Sequence, residues 1–222
     1  LIDLSQRANL QLRGVEIENI HPLQERLAEL GLLDADVAAE AVRNIVPSPL
    51  SGLDPSAAID GRALATALEA RLTGDTSLHA LPGKFGFVVD EGGRLSLDDV
   101  AVDVRLKGLV TGEGPRVLVE IATAPGAWQP IAVTSVEDAP ERAADLARAV
   151  VDLRASMANP PRRMWEIVKA AGLAALFRAA GFGETMAKVE TMPRAHGPEA
   201  VLGDHTHGPS PFIGLGAPFG RF

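Results

Sequence analysis

Three features of the chain predict an α+β fold organised around one main mixed or antiparallel sheet with flanking helices. The first 15 residues alternate with the period of two that a strand requires. Four β-rich stretches follow one another between Phe85 and Val133, separated by turn residues. Two later segments repeat their apolar residues at helical spacing, Leu146, Val150 and Leu153 in one and Trp165, Val168, Leu173 and Leu176 in the other.

From Ile2 to Val15, Ala8, Leu10 and Leu12 fall on one side, and Arg7, Asn9, Gln11 and Arg13 on the other. His21 to Leu33 reads as an amphipathic helix with Pro22 in its first turn and Gly31 weakening its end. A short helix runs from near Glu40 into Arg43. Pro47, Pro49, Gly52 and Pro55 then make a breaker-rich loop. Asp60 is placed to cap a helix from Gly61 to Leu72. Strands are expected at Phe85 to Val89, Val100 to Leu106, Val117 to Ala122 and Ala127 to Val133, as an antiparallel meander with turns at Asp90-Glu91-Gly92-Gly93 and Pro125-Gly126. Asp138 with Glu141 resembles a capping box opening a helix to about Met157. Asn159-Pro160-Pro161 separates it from the last helix. Thr191 to Pro211 reads as a long loop, and Phe212 to Phe222 returns to a strand-like pattern.

Composition narrows the possible functions. The chain has 222 residues, 46% of them apolar, and 21 basic against 29 acidic residues give a net charge of −8. That is an ordinary globular composition, without the basic surplus that neutralises a phosphate backbone, so no nucleic-acid partner is expected. No apolar run reaches the roughly 20 residues needed to cross a bilayer, and the start lacks the pattern of a secretory signal. No membrane partner and a cytoplasmic location are the expectation. Cysteine is absent, which excludes thiolate nucleophiles, disulfides and thiolate-held metals within these residues. The opening Leu1-Ile2-Asp3-Leu4 reads as the middle of a structural element, so the chain is expected to be part of a longer protein.

Several constellations carry potential chemistry. Arg7, Asn9, Gln11 and Arg13 present long donors on one strand face, suited to carboxylates or phosphates. The same pattern also describes a strand with one solvated face. Arg43-Asn44 sits where a helix meets the breaker-rich loop. Lys84 lies in Leu81-Pro82-Gly83-Lys84-Phe85-Gly86-Phe87, where it shares a strand face with Gly86, whose missing side chain leaves room beside the ammonium. Arg162 and Arg163, just inside a helix start, are secondary candidates for a rim or else belong to a solvated face. His205-x-His207 beside Asp204 lacks the further ligands of a metal site, so no metal ligand is assigned. His21, His79 and His196 are isolated. Gly214-x-Gly216-x-x-x-Gly220 has the wrong last interval for a dinucleotide fingerprint. The adjacent acids Asp98-Asp99 and Glu137-Asp138 read as solvated or capping residues.

Three ordered blocks, Ser5-Gln6-Arg7-Ala8-Asn9-Leu10-Gln11-Leu12-Arg13-Gly14, Arg43-Asn44 and Leu81-Pro82-Gly83-Lys84-Phe85, resemble the sirohaem-type nitrite and sulfite reductase superfamily. Ser48-Pro49-Leu50-Ser51-Gly52-Leu53-Asp54, Lys84-Phe85-Gly86-Phe87-Val88-Val89-Asp90 and Gly214-Leu215-Gly216-Ala217-Pro218-Phe219-Gly220-Arg221 narrow the resemblance to the precorrin-3B synthases. The resemblance implies three parts: residues 1–35 as the end of a ferredoxin-like half-domain, 36–205 as the reductase-like core domain, and 206–222 as a linker with the first strand of a second ferredoxin-like half.

What the resemblance implies about chemistry is specific. The expected reaction is oxygen insertion into precorrin-3A, with lactone formation, in aerobic cobalamin biosynthesis. Its partners would be the tetrapyrrole, dioxygen and an electron donor. A 4Fe-4S cluster, with its ligands outside this chain, and a non-haem iron would be its cofactors. Arg43 and Lys84 match the basic groups nearest the reacting face, and Arg7, Asn9, Gln11, Arg13 and Asn44 are substrate-positioning donors. Gly86 stands where the reductases carry a second lysine. The alternatives are a sirohaem-dependent nitrite or sulfite reductase fragment and a non-catalytic tetrapyrrole-binding module.

Overall fold

The computed structural model describes residues 2–5, 10–33, 36–183, 201–206 and 211–215. The N-terminal alternation resolves into a hairpin rather than one strand. β1 (Ile2–Leu4) and β2 (Leu10–Leu12) pair antiparallel, with Asp3 opposite Gln11. The helix that follows, α1 (Ile17–Glu29), begins four residues earlier than its sequence pattern suggests and contains Pro22 in its interior. Its end is built by Gly31, in the left-handed conformation at φ 68°. The Gly31 N–H bonds Ala28 O and the Leu32 N–H bonds Leu27 O, so the glycine closes the helix cleanly.

The short helix α2 (Val37–Val42) is capped by the Asp36 carboxylate and ends at Arg43. A strand then appears inside the predicted loop: β3 (Ile45–Pro47). Its three residues are too few to show a period, and two prolines nearby read as breakers. The Asp60 cap forms as expected, its Oδ1 accepting the Ala63 N–H at 2.9 Å. It opens α3 (Gly61–Gly74), whose Leu64, Leu68 and Leu72 face inward four residues apart. A 3-10 turn over Thr76–Ala80 leads to the main sheet.

The sheet has five strands in sequence order: β3, β4 (Phe87–Asp90), β5 (Val104–Thr111), β6 (Gly114–Ala124) and β7 (Ala127–Thr134). β3, β4 and β5 run parallel, and only β5, β6 and β7 are antiparallel. The expected all-antiparallel meander is therefore corrected to a mixed sheet. Residues 91–103, predicted partly as strand, instead form the crossover that a parallel pair requires.

One sheet face is covered by helices. Leu106, Val119, Ile121 and Ile131 pack there with Leu68 and Leu72 of α3 and with α4 (Ala139–Ala155). α4 presents Ala143, Ala144 and Ala147, small residues that let it lie close to its neighbours. The expected capping box at its start does not form. Ser135 Oγ accepts the Asp138 N–H and donates to its carboxylate, while Glu141 accepts from Arg148 Nη1 at 2.9 Å.

The last predicted helix is two: α5 (Met164–Ala171) and α6 (Leu173–Ala179). Gly172 at φ 83° breaks the run, a backbone state that a side chain would strain. Beyond Gly183, β8 (Gly203–Asp204) and β9 (Ile213–Gly214) pair antiparallel. Most of the predicted loop at 191–211 and of the terminal strand at 212–222 lies outside the described residues. On its second face the sheet carries a smaller apolar cluster of Leu50, Val88, Leu95, Leu97 and Val102, against which Val201 and Phe212 pack. Among the described residues no helix is long and apolar enough to cross a membrane.

Candidate functional site

Because β3, β4 and β5 run parallel, the residues just before them share one sheet edge. Ile45, Phe87 and Val104 are paired across the three strands, which sets Asn44, Gly86 and Asp103 side by side. Asn44 Nδ2 donates to Ala41 O at 3.0 Å and to Gly83 O at 3.2 Å, and its own carbonyl accepts the Phe87 N–H. The end of α2 is thus tied to the turn that carries Lys84. Arg43, Asn44 and Lys84 come to the same edge, though 40 residues separate them in sequence. Arg43 faces Glu69 at 3.6 Å, and Lys84 is exposed.

Lys84 and Gly86 sit in a turn before β4, not on it. The room beside Gly86 admits a methyl group in ordinary van der Waals contact. A Cβ there would touch Val102 Cγ1 at 3.4 Å and Asn44 O at 3.5 Å. The Gly86 N–H donates to Asp103 Oδ2 at 3.0 Å. The other oxygen of Asp103 accepts Arg163 Nε at 3.0 Å and the Met164 N–H at 2.7 Å. This fully buried carboxylate therefore joins the Lys84 turn to the start of α5. Burial pushes its pKa up, and the Met164 N–H and Arg163 oppose that shift. Arg163 is the residue just before α5, and Glu166 accepts the backbone N–H groups of both Arg162 and Arg163.

The polar N-terminal face is shown only in part. Arg7 and Asn9 lie outside the described residues. Gln11 and Arg13 are close together, with Arg13 Nη2 donating to Gln11 Oε1 at 2.7 Å, but Arg13 also pairs with Asp3 at 2.5 Å.

A second constellation escaped the sequence reading. On the sheet face away from the helices, a cleft of about 480 Å³ opens between β5, β6, β7 and the start of α5. Arg105 lies at its floor, 5% exposed, bonded to Glu120 through Nε and to Asp98 through Nη1. Lys107 Nζ reaches the same Asp98 oxygen at 3.2 Å. The Arg105 guanidinium stacks 4.4 Å from the Trp128 ring centre, and Trp128 Nε1 donates to Asp98 O. Burial opposes the charged form of Asp98, and Ser96, then Arg105 and Lys107, outweigh it and lower the pKa. Asp98, read as solvated or capping, is thus one of four members of a partly buried charge network. The available signal was the alternation Val104-Arg105-Leu106-Lys107, which resembles that of a merely wet strand face.

Among the described residues no group of three or more His, Asp or Glu side chains could hold a metal. His205 stacks on Phe212 at 4.5 Å, and His207 lies outside the described residues.

Comparison with known proteins completes the site. Residues 38–189 match the nitrite and sulphite reductase 4Fe-4S domain family. The chain belongs to this family. A ferredoxin–nitrite reductase of Synechococcus elongatus is 41% identical over 97 residues, 42% of this chain and 19% of that protein. A precorrin-3B synthase of a Sinorhizobium species is 36% identical over 115 residues, 51% of this chain and 24% of that protein. The chain thus spans a minor part of these relatives. The structure of the Mycobacterium tuberculosis NirA protein superposes with a TM-score of 0.61 at 22% identity, covering 92% of this chain and 39% of that one. That likeness confirms the mixed α+β fold of the family. A cluster of the kind in the family name is held by cysteine thiolates, and no residue of this chain fits that role.

Proposed function

We propose that the protein takes part in the oxygen-dependent conversion of precorrin-3A to precorrin-3B, with lactone formation, in aerobic cobalamin biosynthesis. Gly86 carries this reading. Its N–H is bound by Asp103 and it adds no charge, so Lys84 is the sole cation of the segment from Gly83 to Phe87. An oxyanion such as sulfite or nitrite needs converging positive charge as it is reduced. A ring with many carboxylates needs separated donors instead.

In this reading Lys84 and Arg43 stand nearest the reacting face, and Asn44 fixes the turn that holds Lys84. Arg7, Asn9, Gln11 and Arg13 hold substrate carboxylates. Dioxygen supplies the inserted oxygen atom, and an electron donor supplies the two electrons that take the other atom to water. The 4Fe-4S cluster would take its ligands from outside this chain, and a non-haem iron would be the second cofactor. The proposed arrangement places residues 1–35 and 206–222 as parts of two ferredoxin-like halves around a core at 36–205, in the cytoplasm.

The stronger identity to a nitrite reductase favours a second reading, a sirohaem enzyme reducing nitrite. The full-length protein, purified anaerobically, separates them. Oxygen-dependent consumption of precorrin-3A without sirohaem absorption is the expected result, with Lys84→Ala lowering kcat/KM roughly hundredfold. Sirohaem bands with nitrite turnover from reduced methyl viologen would replace the proposal with the reductase. A colourless protein that binds the tetrapyrrole without turnover would leave a binding module.

A further inference from the structure

We propose that Arg154 is a positioning residue for Lys84, its guanidinium clamping the Lys84 turn to the segment that opens α5. The inference rests on the reading above that Lys84 stands nearest the reacting face, and it adds a residue from α4, an element which that reading does not use.

The turn is a tight one. The Phe85 N–H bonds Pro82 O at 2.7 Å, and Leu81 and Phe85 are buried on either side of the exposed Lys84. A lysine ammonium on a long flexible stem does not fix its own place. That place depends on what holds the backbone of residues 80–86, and side chains from separate parts of the chain grip it. Asn44 Nδ2 donates to Gly83 O, and Asp103 accepts the Gly86 N–H. Arg154, in the last turn of α4, adds a grip at the other end: its Nη1 donates to Ala80 O at 2.9 Å, 74 residues away in sequence.

The same guanidinium reaches in a second direction. Arg154 Nε donates to Pro161 O at 2.7 Å, immediately before Arg162 and Arg163. Asp103 joins the same two segments, through the Gly86 N–H on one side and Arg163 with the Met164 N–H on the other. The Lys84 turn and the start of α5 are thus bridged at residue 80 and again at residue 86. Two separated anchors stop the pivoting that one would allow, which is what a charge near a reacting centre needs.

Arg154 is a costly way to finish a helix if stability is its whole purpose. Burial and then the neighbouring charge of Arg162 lower its pKa, and among the described residues no carboxylate pairs with it. Two carbonyls offset part of the cost of holding that cation out of water. A planar guanidinium spans two carbonyls at a set separation, which an ammonium or an apolar side chain does not. Its chemistry fits a clamp.

The test is a double-mutant cycle on precorrin-3A turnover by the full-length protein, with amide hydrogen exchange as a second readout and thermal midpoints to confirm that the variants are folded. Arg154→Met should lower kcat/KM about tenfold with Lys84 present and less than about twofold once Lys84 is alanine, since nothing is then left to position. Equal losses in both backgrounds would show a merely structural role and overturn the proposal. Exchange over residues 81–87 and 161–166 should rise together in Arg154→Met while residues 104–124 stay unchanged; unaltered exchange over 81–87 overturns it as well. Arg154→Lys keeps the charge but serves one carbonyl at a time, so it should recover only part of the loss, and full recovery would reject the clamp. The underlying reading fails separately. Unchanged turnover in Lys84→Ala removes Lys84 from the reacting face and the clamp with it, whereas a loss in Lys84→Ala without one in Arg154→Met removes the clamp alone. If nitrite proves to be the substrate, the same cycle is read on nitrite turnover with the same outcomes.

Discussion

The two faces of the five-stranded sheet solve the burial problem in opposite ways. Toward the helices, β5 contributes Val104 and Leu106, both fully buried among aliphatic neighbours. One residue out of phase, the same strand contributes Arg105 and Lys107 to a face where a charged network sits beside a smaller apolar cluster. Helix packing requires only shape and apolarity. The charged face requires every charge to find its partner, because an ion without one in a low-dielectric setting is costly. The first face specifies the fold, and the second presents chemistry on it.

Substitutions on adjacent residues of β5 test this contrast. The largest effect is expected for Arg105→Met, which strands Glu120 and removes the main partner of Asp98. Denaturant unfolding should show a loss of about 3–5 kcal/mol. Adding Glu120→Leu to Arg105→Met, with Asp98 kept as the partner of Lys107, should recover most of that loss, since the Arg105–Glu120 pair is then replaced by apolar groups and neither charge is stranded. Failure to recover would mean that Arg105 acts mainly through its packing on Trp128.

Leu106→Ala, on the helix face, should cost about 3 kcal/mol through lost transfer energy and the cavity left behind. No second substitution that merely removes charge should rescue it. A smaller effect, about 1 kcal/mol, is expected for Asp60→Ala, which removes the cap of the helix α3 covering that face.

The subtlest test is one of pH. Glu91, 1% exposed, accepts from Ser51 Oγ at 2.8 Å, and its other oxygen has no hydrogen-bond partner among the described residues. Burial raises its pKa, with Asp54 and Asp90 adding repulsion and Ser51 and Ser48 opposing. A raised carboxyl pKa means that the folded state holds the proton more tightly than the unfolded chain. Stability is therefore lost as pH rises from the ordinary glutamate value through the raised one. Glu91→Gln should remove that slope. Thermal midpoints at pH 5 and pH 8 should converge in the variant, and its advantage over wild type should appear at the higher pH.

Legibility from sequence followed the range of the interactions. The Asp60 cap, the strands at Phe87–Asp90, Gly114–Ala124 and Ala127–Thr134, and the inward leucines of α3 depend on neighbours a few residues away, and the pattern revealed them. Strand direction did not show, because parallel and antiparallel pairs share one side-chain period. Nor did the pairing of β1 with β2, because Leu4 and Leu10 keep the same sequence alternation. Arg43 and Lys84 were legible as blocks of a family, while Asp103, which positions the Lys84 turn, was not. Its partners Gly86 and Arg163 lie 17 and 60 residues away. Arg105, Glu120 and Asp98 were missed for a related reason: opposite charges on neighbouring strands identify a network only once the register Arg105 to Glu120 is known.

The change of direction within the sheet also sets an order of assembly. β5, β6 and β7 close through turns of two residues, at 112–113 and 125–126, so their contacts are local and form at little loop-closure cost. β3 meets β4 only after the 39 residues between them have been enclosed, with α3 inside that loop. The hairpins that floor the tryptophan cleft should therefore gain amide protection early in refolding. The edge that gathers Arg43, Asn44 and Lys84 should gain it last.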